Sequence, residues 1–123
     1  MSAAVAAAAE AEWRRALIAL DTALQDATIA AGQLAGIRAG WAVLEASAVL
    51  AAEGKDETQR AASVTLALAH NPQATRYRGD EAATLARLAD ALRRERLATE
   101  HCRLALALLA LHTSSGRGQE VAP

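Results

Sequence analysis

The chain has 123 residues and a formal charge of −1, a length that suits one domain and a charge that demands no polyanionic partner. Ala and Leu dominate; Phe is absent, Trp13, Trp41 and Tyr77 are the only aromatics, and Pro72 and Pro123 the only prolines. Strong helix formers with scattered β-branched residues exclude a sheet and predict an all-α fold. A core of Ala and Leu has little volume per residue, so such helices gain stability by lengthening their seam or by associating.

Charge is unevenly spread. Residues 1–54 hold six acids and three arginines, a balance of −3, and residues 55–123 hold ten bases and eight acids, a balance of +2. Cys102 is alone, which excludes a disulfide framework within one chain and fits a reducing compartment. Acidic Glu10 and Glu12 follow a start with no basic residue, and no run nears the roughly 20 apolar residues of a membrane span. The expectation is a cytoplasmic protein.

From about Ala6 to Glu53 no proline intervenes, and apolar residues recur at helical spacing. The seam runs Trp13, Leu17, Leu20, Leu24, Ala27, Ala31, Leu34 and then Ile37, Trp41, Leu44, Ala48. Its steps alternate 4 and 3 until a repeated 3 at Leu34 to Ile37, the mark of a stammer. Gly32, Gly36 and Gly40 fall there, on one helix face, each costing about 0.5–1 kcal/mol relative to Ala. They mark either a groove where another helix approaches closely, with Trp41 beside it, or a point where the helix bends or breaks.

The elbow Glu53-Gly54-Lys55-Asp56-Glu57-Thr58-Gln59-Arg60 ends this helix and starts the next. Gly54 suits a left-handed stop, Asp56 an N-cap, and Gln59 the capping-box position. A short helix follows over about 56–71, with Ala61, Val64, Thr65 and Leu68 inward. Asn71-Pro72 reads as its end, residues 72–79 as a loop, and Asp80 as the cap of a third helix over about 80–112. The chain is thus one helical domain over 1–112, a coiled-coil-like hairpin, with a disordered tail at 113–123.

The third helix has a seam of Leu85, Leu88, Leu92, Glu95, Thr99, Cys102, Leu106 and Leu109. A second stripe, Leu97, His101, Leu104, Leu108 and Leu111, makes its end apolar nearly all round. One neighbouring helix cannot cover such a surface, which predicts a homo-oligomer with Gly32, Gly36, Gly40, Trp41, Leu104, Leu108 and Leu111 at the interface.

Residues with chemistry are few. His101 and Cys102 are neighbours about 100° apart on a helix, unfit for a nucleophile and base pair, and His70 suits a helix C-terminus. There is no metal-ligand spacing such as His-x-x-x-His or Cys-x-x-Cys and no phosphate loop. No metal, no cofactor and no enzymatic activity are expected. Arg76-Tyr77-Arg78 is a candidate for single-stranded DNA contact, an aromatic for stacking between two phosphate-binding arginines. Its competitor places Tyr77 against the hairpin and pairs the arginines with Asp80 and Glu81.

The stretch Glu53 to Ala62, followed by Leu66, Leu68, a Tyr-bearing segment and a helix rich in Arg, Glu and Leu, resembles small helical proteins of bacteriophage early gene blocks. That resemblance implies an accessory role in phage recombination or replication and assigns no functional residue. The composition and seams point first to a scaffold that binds itself and a protein partner, and second to an accessory protein that binds single-stranded DNA.

Overall fold

The computed structural model describes the backbone of residues 2–121 and the side chains of residues 2–114. The fold is all-α, a hairpin of three helices: α1 (Ala3–Leu50), α2 (Glu57–Ala69) and α3 (Pro72–Val121), the last packed against α1. Ser2 starts α1 by accepting from the Val5 amide at 3.2 Å. The three glycines do not break it, since α1 is helical from Ala3 to Leu50.

The elbow is built as its residues dictate. Gly54 has φ of 147°, and a Cβ there would lie 2.7 Å from the Gln59 Cβ, so glycine is required. Asp56 caps α2, its side chain accepting from the Gln59 amide at 2.8 Å, while Gln59 reaches back to the Lys55 amide at 2.8 Å. Arg60 closes the turn on the Gly54 carbonyl. In α2, Val64 and Leu68 are half-buried as the spacing predicts, but Ala61 and Thr65 are exposed and no residue is fully buried.

The expected loop at 72–79 is instead the first eight residues of α3. Asn71 accepts from the amides of Gln73 at 2.8 Å and Ala74 at 3.3 Å, so it caps α3 with Pro72 at the first helical position. The same dipeptide that stops one helix can start the next, because proline lacks the donor that a first turn leaves unpaired anyway. Asp80 lies inside α3. Helix α3 also continues through the expected tail to Val121, while Ala122 and Pro123 lie outside the described residues.

Along α3, and on α1 as far as Leu34, the seams differ from the sequence reading at every second position, while Ile37, Trp41, Leu44 and Ala48 lie in the seam as expected. On α1 the covered residues are Ala6, Ala9, Trp13, Ala16, Leu20, Ala23, Ala27, Ala30, Leu34, Ile37, Trp41, Leu44 and Ala48, an unbroken alternation of 3 and 4. There is no stammer. Ala16, Ala23 and Ala30 take the places assigned to Leu17, Leu24 and Ala31. On α3 the covered series is Ala74, Tyr77, Glu81, Thr84, Leu88, Ala91, Glu95, Ala98, Cys102, Ala105, Leu109 and His112, so Thr84, Ala91, Ala98 and Ala105 replace Leu85, Leu92, Thr99 and Leu106. In six of these seven cases the inward residue is the one before a bulkier residue; at Ala30 the outward neighbour is another alanine. Small side chains in the seam allow the helix backbones to pack closely, and every leucine so displaced flanks the seam.

Contacts group the chain into two compact units, Met1–Ala27 with Ala89–Pro123, and Thr28–Leu88. In the first, the buried seam residues are Ala9, Ala16, Ala23, Ala91, Ala98, Cys102 and Ala105. The second buries Ala30, Leu34, Ala74 and Thr84, whose hydroxyl accepts from Arg87 at 3.0 Å.

Candidate association faces

Within the unit of residues 1–27 and 89–123, one ion pair sets the register. Arg94 Nη2 donates to Asp26 Oδ2 at 2.9 Å, and its Nε donates to Asp90 at 2.9 Å. Asp26 precedes the seam residue Ala27 and Arg94 precedes the seam residue Glu95, so the residues just before these positions face each other across the hairpin. This register sets Ala27 opposite Ala91, small against small, and Leu20 opposite Ala98 and Trp13 opposite Ala105, large against small.

Hydrogen bonds to Asp26 and then to Asp90 hold the Arg94 guanidinium above its ordinary value. Hydrogen bonds from Arg93 and Arg94 hold the Asp90 carboxyl below the usual carboxylate range. This flank of the seam is therefore polar and internally paired.

The opposite flank is apolar. It carries Leu17 (40% exposed) and Leu24 (45%) on α1, and Leu92 (47%) and Leu106 (49%) on α3, each the residue following a buried seam alanine. The register brings Leu24 level with Leu92, and Leu17 level with Thr99, whose hydroxyl is satisfied by the Glu95 carbonyl at 2.9 Å. The result is a continuous leucine face with no charge at its centre. Reading the bulkiest residue as inward concealed it, whereas the Ala-Leu dipeptides 16–17, 23–24, 91–92 and 105–106, in seven-residue register along each helix, signal it.

A second apolar surface lies on the far side of the α3 end. Leu97, Leu104, Leu108 and Leu111 are exposed there. Val5, Ala8, Ala9, Glu12, His101, Leu104, Ala105 and Leu108 line an open groove of about 310 Å³. The stripe expected at Leu104, Leu108 and Leu111 is thus brought to one surface. His101 sits on the groove's rim, while Cys102 is buried in the seam, so the two neighbours share no site.

The unit of residues 28–88 holds the other candidates. Tyr77 is a seam residue; a Cβ on Gly40 would lie 2.7 Å from its hydroxyl oxygen and 2.8 Å from its Cζ. The close approach that Gly40 permits is therefore filled by this chain's own tyrosine. Gly32 and Gly36 have open space where a Cβ would stand, so the three glycines do not form one packed groove within the chain. Gly36 lines a groove of about 390 Å³ with Gln33, Ile37, Tyr77, Asp80, Ala83, Thr84 and Arg87.

Arg78 lies over the half-buried Trp41 ring, 5.2 Å from its centroid, a cation–π contact. Glu81 pairs with Arg38 at 3.7 Å, not with the arginines of the tripeptide. With Tyr77 turned into the seam and Arg78 engaged on Trp41, helix geometry separates the three side chains that a stacking platform would need on one surface.

Among the described residues there is no cluster of His, Cys, Asp and Glu that could hold a metal ion, and no helix is long and apolar enough to cross a membrane. No family model, curated protein or solved structure matches the chain.

Proposed function

We propose that this chain is a non-enzymatic helical association protein, a scaffold or accessory factor that works by presenting apolar helix faces to itself and to a protein partner. One observation carries the reading. The seam that closes the hairpin is made largely of alanines, while Leu17, Leu24, Leu92 and Leu106 stand outside it, each 40–49% exposed. Apolar side chains in regular seven-residue register, placed where the chain cannot cover them, are what a docking face requires.

The reading as an accessory protein for single-stranded DNA in phage recombination or replication has less support, because it relies on Arg76, Tyr77 and Arg78 acting together. One measurement addresses both. Light scattering of the purified chain should give a defined mass above the 12.8 kDa of one chain, unchanged by a short single-stranded oligonucleotide at low or moderate salt. A folded chain that stays at 12.8 kDa at every concentration and ignores candidate proteins overturns the association reading. A salt-sensitive gain in mass with the oligonucleotide supports the DNA reading instead.

A further inference from the structure

We propose that the occupant of the leucine face is a second copy of this chain, docked face to face about a two-fold axis parallel to the helices, with the α1 stretch of one copy against the α3 stretch of the other. The proposal rests on the association reading above and names its partner and geometry.

Self-complementarity is the first argument. Leu17, Leu24, Leu92 and Leu106, each 40–49% exposed, stand on one flank of one unit, two on α1 and two on α3. A two-fold contact uses the same patch on both copies, so an uncharged leucine face can cover itself without burying an unpaired charge.

Charge selects the arrangement. Just outside the face, Asp21 stands on the α1 side and Arg96 on the α3 side, level with each other in the register set by Asp26 and Arg94. Asp21 is hydrogen-bonded only to Gln25, at 3.0 Å, and Arg96 has no ion-pair partner among the described residues. Rotation about an axis parallel to the helices keeps the level and brings α1 over the partner's α3, so Asp21 of each copy meets Arg96 of the other. Every nearest pair of helices is then antiparallel.

Rotation about the other in-plane axis would set α1 on α1 and oppose like charges at both positions. One heptad along, Arg14 and Arg103 meet in the proposed arrangement. Each is already neutralised in its own helix, Arg14 by Glu10 at 2.7 Å and Arg103 by Glu100 at 3.4 Å.

The test is sedimentation equilibrium of the full chain and four variants, with helicity followed by circular dichroism. Leu17→Gln with Leu92→Gln should yield a helical monomer. Asp21→Arg and Arg96→Asp should each weaken the dimer about tenfold or more, and the double variant should recover most of that loss, because the pair is restored with its signs exchanged. A double variant as weak as the two losses combined overturns the arrangement. A dimer that survives Leu17→Gln with Leu92→Gln places the contact elsewhere and overturns the proposal, yet leaves the association reading standing. A wild-type chain that is monomeric until a different protein is added overturns the second copy as occupant and likewise spares that reading.

Discussion

The two units close their hairpin in opposite ways. In residues 28–88 bulky side chains occupy the seam: Leu34 is buried, Tyr77 fills the space over Gly40, and Arg78 covers the Trp41 ring. In residues 1–27 and 89–123 the buried positions are alanines and Cys102, and the leucines stand beside them in solvent. Both are helical hairpins of similar composition. What differs is the volume that the seam buries fully: the second unit buries Leu34, whereas in the first the bulky seam residues Trp13, Leu20 and Leu109 are only half-buried and leucines stand in register beside the buried alanines. A seam of alanines leaves that flanking leucine row to be covered by something else.

The largest effect expected is from putting volume into the alanine seam. Ala91 is fully buried, so Ala91→Leu should cost about 1–3 kcal/mol by overpacking, read from urea or thermal unfolding. The neighbouring Leu92→Ala should leave unfolding nearly unchanged at concentrations where the chain is monomeric. If Leu92→Ala were the more damaging of the two, the seam would run through the leucines and the contrast between the units would disappear.

The glycines sharpen the same contrast in the other unit. Gly40→Ala should lower the melting temperature, since its Cβ would meet the Tyr77 ring at under 3 Å. Gly32→Ala and Gly36→Ala meet nothing within 4 Å, and each should raise stability by about 0.5–1 kcal/mol through helix propensity. A loss of oligomer mass in Gly36→Ala would instead mean that a partner helix packs there.

A smaller and more local effect is expected at α2, which buries no residue fully and depends on its ends. Asp56→Ala should cost the helix about 1 kcal/mol, seen as faster amide hydrogen exchange at residues 58–60 with little change in global melting. Equal loss of protection across α1 would show that α2 unfolds with the whole hairpin.

The smallest effect expected is on acid stability. The Asp90 carboxyl is held below its ordinary range by Arg93 and Arg94, so its contribution is complete above the unfolded carboxylate range near about 4. It is lost as pH falls through the lower folded value. Asp90→Asn should therefore flatten the acid limb of the melting curve from above, lowering the melting temperature slightly at neutral pH and leaving it unchanged at low pH. An unchanged acid limb would show that these exposed pairs do not contribute.

Much of this was legible in the residues. Composition excludes strands, and Gly54, Asp56 and Gln59 specify the elbow because a left-handed backbone and a side-chain cap are local requirements. Asn71-Pro72 reads equally well as a helix end and as a helix start, because the dipeptide meets the local requirements of both, and only the continuation of α3 distinguishes them. Tyr77 was legible only as a choice between a stacking platform and a seam residue. The register that brings it against Gly40 decides.

The sequence by itself determined that the chain is helical, where its first two helices meet and that its helices share an apolar seam, because propensity, capping and period are properties of short stretches. Only the tertiary structure decided which of two adjacent apolar residues, Ala16 or Leu17, Ala91 or Leu92, turns inward. The two are neighbours on one helix and satisfy its period almost equally. The choice comes from the facing helix, which can approach closely over an alanine and is held off by a leucine.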